Sequence, residues 1–370
     1  MNHREYFLKI MKGEASNWIP NYEYGLWGQT LERWIKEGLP EDMIYNNWFE
    51  GEPFFNIDRR GFADINTGPV PPYQTEIIEE TERYIVAKNS WGIVTKALKD
   101  GTVRGTRPSM DQYLSFPVKD RKDFLEMKKR YNPFSLIRYP QWWAQLVKMW
   151  ENRDYPLCLL TNGSWGVYSR LRIWVGTENI SYMFYDDPFL VEEMVEFNTE
   201  FLLTLIEKAL KEVKFDYFNF FEDFAGKGGP LFGPEIFKRF FLKAYKKVIE
   251  MLRKSGIEII TLDSDGNFEV LIPLLMDVGI NCFWPLEQAS GMDPLILKKK
   301  YGKNIILMGG IDKREIVKGK KEIEKELCKK IPPLLEKGGY IPTLDHAISP
   351  DISYENFMYY MELKLKLIGR

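Results

Sequence analysis

One stretch of the chain decides the predicted fold: it reads EIITLDSDGN and spans residues 258–267. Its first five residues are mostly apolar or β-branched and predict a short buried strand, which the polar residues after them end. Long amphipathic helices separate this run from others like it. The further runs span residues 157–161, 217–221, 281–284, 305–308 and 340–344, with one more near 19–24. Strands that alternate with helices in this way predict βαβ units and a parallel sheet.

Helix-start signals support this reading. Asp187 and Asp293 each stand directly before a proline. Aspartate is a favoured N-cap residue, and proline is tolerated at the first helical position because its missing N–H has no partner there. Ser353 is predicted to cap the last helix in the same way.

The predicted architecture is a single α/β domain over residues 1–370, a (β/α)8 TIM-type barrel. Residues 1–150 form an N-terminal elaboration, in which the runs 77–87 and 91–98 predict a β-meander. A doubly wound open sheet is the alternative. It is disfavoured because no G-x-G-x-x-G motif follows any predicted strand.

The composition excludes several functional classes. The 51 basic and 53 acidic side chains give a net charge of −2, so no basic surface for nucleic acid is expected. The three cysteines are far apart and form no CxxC pair, which argues against a disulfide scaffold and against a cysteine-zinc site. The chain has no run of roughly 20 apolar residues and no apolar signal segment near Met1, so we expect a cytoplasmic protein without a membrane span.

Acidic side chains follow most of the predicted strands. In a barrel the C-terminal ends of the strands meet at one face, and catalytic residues collect there. Carboxylates gathered at such a mouth either raise one another's pKa or hold a cation. The polar and aromatic residues just past the predicted strands are Asn162, Trp165, Glu222, Asp223, Asp263, Asp265, Glu287, Asp312, Asp345 and His346.

These residues divide by predicted role. Catalytic acid or base roles are predicted for Asp263, His346, Glu222 and Asp345. Asp263, Asp265 and His346 also form a two-carboxylate, one-histidine set of the kind that binds Zn²⁺ or Fe²⁺. The predicted substrate-binding residues are Asn162, Trp165, Asp223, Glu287 and Asp312. Structural alternatives remain open: Asp263 and Asp312 as helix caps, Trp165 in the core, and His346, Glu222 and Asp223 as structural polar groups.

These motifs resemble those of the uroporphyrinogen decarboxylase superfamily, which also contains the cobamide-dependent methyltransferases. The stretches that carry the resemblance are residues 222–235, 262–273, 285–293, 309–312 and 338–356, and upstream 27–40 and 116–124, which are similar to the methyltransferase-like branch. The resemblance implies a (β/α)8 barrel, in agreement with the strand and helix pattern. It also implies an enzyme that uses a corrinoid, held by the enzyme or by a separate corrinoid protein, and a tendency to form homodimers.

Two departures from the family pattern bear on function. The decarboxylases carry an arginine-rich segment near the N-terminus, whereas residues 22–27 contain no arginine. A porphyrinogen with many carboxylates would be poorly bound at an acidic mouth. The thiol-methylating relatives hold zinc through a His-x-Cys pair and a later Cys. Here Asp263-Ser264-Asp265 and Asp345-His346 occupy those positions, so a divalent metal such as zinc would have oxygen and imidazole ligands.

Three functions follow from this resemblance. The preferred one is corrinoid-linked methyl transfer to or from a small molecule, with or without assistance from a metal. The second is decarboxylation of a uroporphyrinogen-type substrate in tetrapyrrole biosynthesis. The third is non-catalytic binding of a corrinoid or small ligand. The expected partners are a small-molecule substrate, a corrinoid protein and a second copy of the chain.

Overall fold

The computed structural model describes residues 1–41, 48–107, 110–160 and 163–370. Its strands are β1 Gly61–Phe62, β2 Glu76–Glu80, β3 Tyr84–Lys88, β4 Val94–Leu98, β5 Gln112–Ser115, β6 Leu157–Cys158, β7 Tyr217–Phe221, β8 Ala225–Gly226, β9 Gly229–Pro230, β10 Ile259–Asp263, β11 Cys282–Trp284, β12 Ile306–Met308 and β13 Tyr340–Ile341. They form one seven-stranded sheet, one four-stranded sheet and a two-stranded hairpin.

The seven-stranded sheet is parallel and has the order β1-β6-β7-β10-β11-β12-β13. Its longest pairing aligns Ile259 with Tyr217 and Asp263 with Phe221. Sequential parallel neighbours joined by helices are the pattern of a (β/α) barrel, so the predicted fold class is confirmed. The strand predicted at 340–344 ends early at Ile341, because Pro342 has no N–H to donate to the ladder.

The strand predicted near residues 19–24 is absent, and this prediction was wrong. Residues 19–25 have no regular secondary structure. Pro20 removes one backbone donor, and Gly25 takes a φ of +112° that interrupts an extended chain. The segment still bridges the two edges of the sheet: Leu26 forms a parallel bridge with Ile348, and the Asn21 carbonyl accepts a 2.9 Å bond from Asp58 N. Irregular backbone therefore closes the barrel, and the unpredicted β1 follows it.

The N-terminal elaboration contains an antiparallel sheet of order β2-β3-β4-β5. The single strand predicted at 77–87 is two strands, because Thr81 makes a turn between them. Its hydroxyl accepts from the backbone N–H of Arg83 at 3.2 Å and of Tyr84 at 3.0 Å. The strand predicted at 91–98 begins only at Val94, and β5 extends the sheet beyond the predicted meander.

The helices are α1 His3–Met11, α2 Gly28–Lys36, α3 Arg121–Lys128, α4 Trp143–Trp150, α5 Val167–Val175, α6 Thr177–Asp186, α7 Pro188–Glu212, α8 Pro234–Ile236, α9 Leu242–Lys254, α10 Ile272–Val278, α11 Pro294–Tyr301, α12 Lys313–Lys318, α13 Lys320–Glu336 and α14 Tyr354–Leu367. A π-helical turn at Phe237–Phe241 joins α8 to α9. The three predicted caps are confirmed, since Asp187, Asp293 and Ser353 each accept a backbone N–H at a helix start. In the described chain, no helix has the length and apolar character needed to cross a membrane.

Strand alternation sorts the side chains of the barrel into two layers. Phe218, Phe220 and Leu262 belong to one apolar cluster, which they share with residues of α7 and α9. Tyr217 and Ile259, one residue out of phase, belong to a second cluster. Because successive side chains of a strand face opposite sides, this second set faces the barrel interior. Asp263, in phase with Ile259, is therefore the last interior-facing residue of β10 and lies at the barrel mouth.

Candidate functional site at the barrel mouth

A tyrosine–aspartate pair lies at the C-terminal end of β10. The buried Asp263 accepts a 2.7 Å hydrogen bond at Oδ1 from the Tyr24 hydroxyl. Tyr24 belongs to the irregular closing segment, and its ring lies 4.9 Å from the ring of Trp284 in β11. Burial, together with the charge of Asp263, raises the pKa of the Tyr24 phenol well above its usual range. Tyr24 therefore keeps its proton and holds the carboxylate in one orientation.

A histidine–aspartate pair lies directly beside it. The Nε2 atom of His346 is 3.5 Å from Oδ2 of Asp265, and the two side chains are 29% and 44% exposed. The His346 ring is stacked on Tyr24, with 5.7 Å between centroids and 9° between planes. The contact with the Asp265 carboxylate raises the pKa of His346, against the opposing effect of burial. Compared with a free histidine, the imidazolium form of His346 is thus stabilised, at a position that is partly exposed to solvent.

The loop that carries Asp265 is fixed by a third carboxylate. Glu287 accepts a 3.0 Å bond from Gly266 N and a 2.9 Å bond from the Ser290 hydroxyl. Gly266 has a φ of +74°, and a Cβ there would lie 2.6 Å from the carbonyl carbon of Ala225. Only glycine fits this turn, which follows Asp265 directly in the chain and so fixes the loop that carries it.

The predicted metal ligands are neighbours but do not converge. Asp265 faces His346, whereas Oδ1 of Asp263 is bound to Tyr24. Among the residues that the structure describes, no three His, Cys, Asp or Glu side chains are placed to hold a metal ion. The donors present therefore do not fit a three-ligand site, and a divalent metal such as zinc stays a prediction. What the arrangement can do is transfer a proton at His346 and Asp265.

Glu222, predicted to be catalytic, lies beneath the mouth and is fully buried. Its carboxylate accepts four hydrogen bonds, from the backbone N–H groups of Val167, Tyr168 and Ser169 at the start of α5 and from the Tyr245 hydroxyl. Burial raises its pKa to about 7, although these donors favour the ionised form. With both oxygens in use, Glu222 anchors a helix N-terminus, and this geometry favours the structural alternative over the catalytic one.

Asp345, also predicted to be catalytic, has a similar structural setting. It is buried and accepts backbone N–H bonds from Gln288 at 2.9 Å and Lys313 at 3.1 Å. Asp312, predicted to bind substrate, caps α12 through Arg314 N and pairs with the Arg314 guanidinium at 2.7 Å. Burial acts to raise the pKa of Asp312, but the hydrogen bonds from Arg314 bring it below its usual range. Both carboxylates hold the start of α12 rather than facing the mouth.

Trp165 and Asp223, also predicted to bind substrate, contact helices of the barrel. Trp165 is buried in the core, where its Nε1 donates a 2.9 Å bond to Asn198. This matches the core alternative. Asp223 is partly exposed and forms an ion pair with Arg172 of α5. Glu287 contacts the Asp265 loop from behind, and Asn162 lies outside the described residues.

Residue-level reasoning missed Tyr24, which connects the two pairs of the site. The available signal was its position in the segment expected to be the first strand, opposite the acidic strand ends. It also missed Glu23, whose buried carboxylate contacts Tyr360 and Lys364 and accepts a 3.0 Å bond from Leu344 N. Glu23 thereby ties the closing segment to the chain after β13, and so fixes Tyr24 beside His346.

Comparisons with known proteins identify a matching family and a solved structure of similar fold. Residues 105–365 match the model of the family described as uroporphyrinogen decarboxylase (URO-D). Among solved structures, a methyltransferase from Methanosarcina mazei has a similar fold, with a TM-score of 0.62 over 99% of this chain and 98% of that chain. The sequence identity is 14%, so this likeness concerns the fold alone. No curated protein is similar enough in sequence to count as a match.

Proposed function

The chain belongs to the uroporphyrinogen decarboxylase family, and from this premise we propose that it is a methyltransferase. It moves a methyl group between a small molecule bound at the barrel mouth and a corrinoid carried by a partner protein. The observation that carries the proposal is the His346–Asp265 pair, solvent-accessible and packed against the Tyr24–Asp263 pair. The fold shared with a methyltransferase is compatible with the same reaction class.

Proton transfer is the part of the reaction that this chain supplies. When a methyl group leaves an oxygen, nitrogen or sulfur atom, that atom gains an electron pair and needs a proton. His346 in its imidazolium form donates this proton, and Asp265 stabilises the charged ring beforehand. In the reverse direction the neutral ring accepts the proton that the methylated atom releases. Tyr24 orients His346 by stacking, and Asp263 orients Tyr24.

Charge at the mouth selects the substrate class. Asp263 and Asp265 lie beside the pair, and Glu287 lies behind the loop that carries Asp265. The carboxylates favour a neutral or cationic small molecule and disfavour a polycarboxylate such as a porphyrinogen. The aromatic face of Tyr24 adds an apolar surface suited to a methyl group.

The proposed reaction does not require this chain to hold the corrinoid itself. A carrier protein would present its cofactor from outside, and the exposed edges of His346 and Asp265 leave the reacting position open to it. When bound, the corrinoid would supply or accept the methyl group. No residue of this chain is required to ligate it.

The test is a methyl-transfer assay with purified protein. Methylcobalamin, or its reduced demethylated form, is mixed with a panel of methylated and unmethylated alcohols, amines and thiols, and the corrinoid absorbance is followed. We expect turnover of at least one small molecule, and we expect His346→Gln to slow it by about 10²-fold. His3→Gln removes the only other histidine and is the matched control.

Two results would contradict the proposal. One is an equal loss of rate in His346→Gln and His3→Gln. The other is the absence of transfer across the panel together with robust decarboxylation of a uroporphyrinogen, which would move the protein to the second function.

A further inference from the structure

A cavity whose lining does not include His346, Asp265 or Tyr24 has the features of a second binding site. A cavity of about 460 Å³ lies between the loop after β1, the turn of the β3–β4 hairpin and the segment before α4. Polar and aromatic groups share its wall, namely Asn66, Thr67, Trp91, Arg138, Trp142 and Ser164. This volume is that of a small-molecule site.

Two fully buried arginines, Arg138 and Arg170, stand at this cavity. Arg138 lines it directly, and its guanidinium donates to backbone carbonyls, including Asn66 O at 3.0 Å. Arg170, from α5, donates to two groups of the cavity wall, the Thr67 hydroxyl at 3.0 Å and the Ser164 carbonyl at 2.7 Å. One guanidinium group thus lines the cavity, and the second lies directly behind its wall.

Neither guanidinium has a carboxylate partner in the described part of the chain. Buried charges are normally paired, because an ion that leaves water loses its hydration and needs an opposite charge or hydrogen bonds to replace it. Arg153 follows that rule, since it contacts Asp216 at 2.9 Å. Arg60 is also buried without an ion pair among the described residues, but the cavity beside it measures about 10 Å³, room for a water molecule at most.

Two further observations point to a missing partner. Arg170 Nη1 and the Ser164 hydroxyl are both buried and make no hydrogen bond of good geometry among the described residues, and the contact of Arg170 with Tyr131 adds no negative charge beside it. In addition, burial and the charge of Arg170 lower the pKa of Arg138 to about 10. The two positive charges therefore repel each other. An anion beside Arg170 and Ser164 would accept from these two donors and weaken the repulsion between the guanidinium groups.

We propose that this cavity binds a small organic anion, whose carboxylate or phosphate group contacts Arg170 and Ser164 and whose apolar body lies against Trp91 and Trp142. The guanidinium fork matches both anion types. The Arg170 guanidinium already lies 4.8 Å from the centroid of the Trp91 ring, which places aromatic surface next to the charge. Asp64 stands at the exposed rim, so the anionic group is expected at the inner end. The inference does not rest on methyl transfer.

The test is isothermal titration of the whole protein with four probes: benzoate, phenyl phosphate, inorganic phosphate and benzylamine. Saturable binding of benzoate or phenyl phosphate, with no binding of the cation benzylamine, is expected. Which of the two anions binds more tightly identifies the anionic group. Inorganic phosphate is expected to bind more weakly than phenyl phosphate, because it makes no contact with the tryptophans.

Matched variants assign the binding to the cavity. Arg170→Met is expected to weaken binding of the preferred anion at least about tenfold, and Ser164→Ala about threefold. Arg172→Met, which removes a cation two residues away that instead pairs with Asp223, is the control and should leave the affinity unchanged. Trp142→Ala removes a side chain that is 59% exposed, so it tests the apolar wall in a folded protein even if Arg170→Met fails to fold.

Three outcomes would overturn the proposal. One is the absence of saturable binding by every anion. Another is equal binding of benzoate and benzylamine. The last is an anion affinity that Ser164→Ala and Trp142→Ala leave unchanged.

Discussion

The carboxylates at the strand ends of this barrel fall into two groups that the sequence does not distinguish. Glu222 and Asp345 are buried and accept backbone N–H bonds at the starts of helices or turns. Asp265, by contrast, is 44% exposed and faces His346. The first group holds elements together, whereas the second is open to a ligand. An acidic residue after a strand therefore indicates a role only once its hydrogen-bond donors are known.

The difference has a simple electrostatic cause. A buried carboxylate loses its hydration and is tolerated only if several hydrogen-bond donors replace the water. Its oxygens are then fully used in these hydrogen bonds. A partly exposed carboxylate keeps water and has capacity left for a proton or a substrate. This contrast predicts different effects of substitution in the two groups. Substitution of a buried carboxylate should lower the free energy of unfolding, whereas substitution of the exposed Asp265 should impair proton transfer.

The largest loss of stability is expected for Glu222→Ala. It leaves three backbone N–H groups of α5 and the Tyr245 hydroxyl without their acceptor. We expect the free energy of unfolding to fall by about 3–5 kcal/mol, measured by urea denaturation. Asp223→Ala is the neighbouring control, since it removes a partly exposed ion pair and should cost about 0–1 kcal/mol. Equal losses of unfolding free energy in the two variants would contradict the division into structural and exposed carboxylates.

A smaller loss is expected for Asp345→Ala. Two backbone donors, Gln288 N and Lys313 N, lose their acceptor, and the expected cost is about 1–3 kcal/mol by the same measurement. Methyl transfer, assayed at a temperature where the variant stays folded, should persist. A loss of transfer in a fully folded Asp345→Ala protein would return this residue to the catalytic group.

Local features of the fold were predictable from the sequence, because they depend on neighbouring residues. The strand predicted at 217–221 coincides with β7, and the caps Asp187 and Asp293 follow from an aspartate–proline pair. The failure near residues 19–24 has a non-local cause. That segment is positioned by Glu23, whose partners Leu344 and Lys364 lie more than 300 residues away.

The candidate site was predictable in composition but not in arrangement. Barrel topology brings Asp265 and His346 to one face, and this much follows from strand order. The role of Glu222 does not follow, because its donors at Val167 and Ser169 belong to a helix 53–55 residues earlier. Tyr24 reaches Asp263 only through the closing segment, which no local pattern reveals.

The smallest effect on stability is expected at the mouth itself. Asp265→Asn should change the free energy of unfolding by no more than about 0.5 kcal/mol, because the pair is partly exposed. The raised pKa of His346 fixes the sign of the pH dependence. The contribution of the pair is present where His346 is charged and is lost as the pH rises through its pKa in the folded protein.

The most direct test of the central claim, that Asp265 tunes His346 as a proton-transfer group, is a pH titration of the His346 ring by NMR. The chain has only two histidines, so a His3→Gln variant identifies the His346 signals without further assignment. We predict that the pKa of His346 falls in Asp265→Asn, because the contact with a carboxylate is what raises it. Identical titration midpoints in the wild-type protein and in Asp265→Asn would contradict the account.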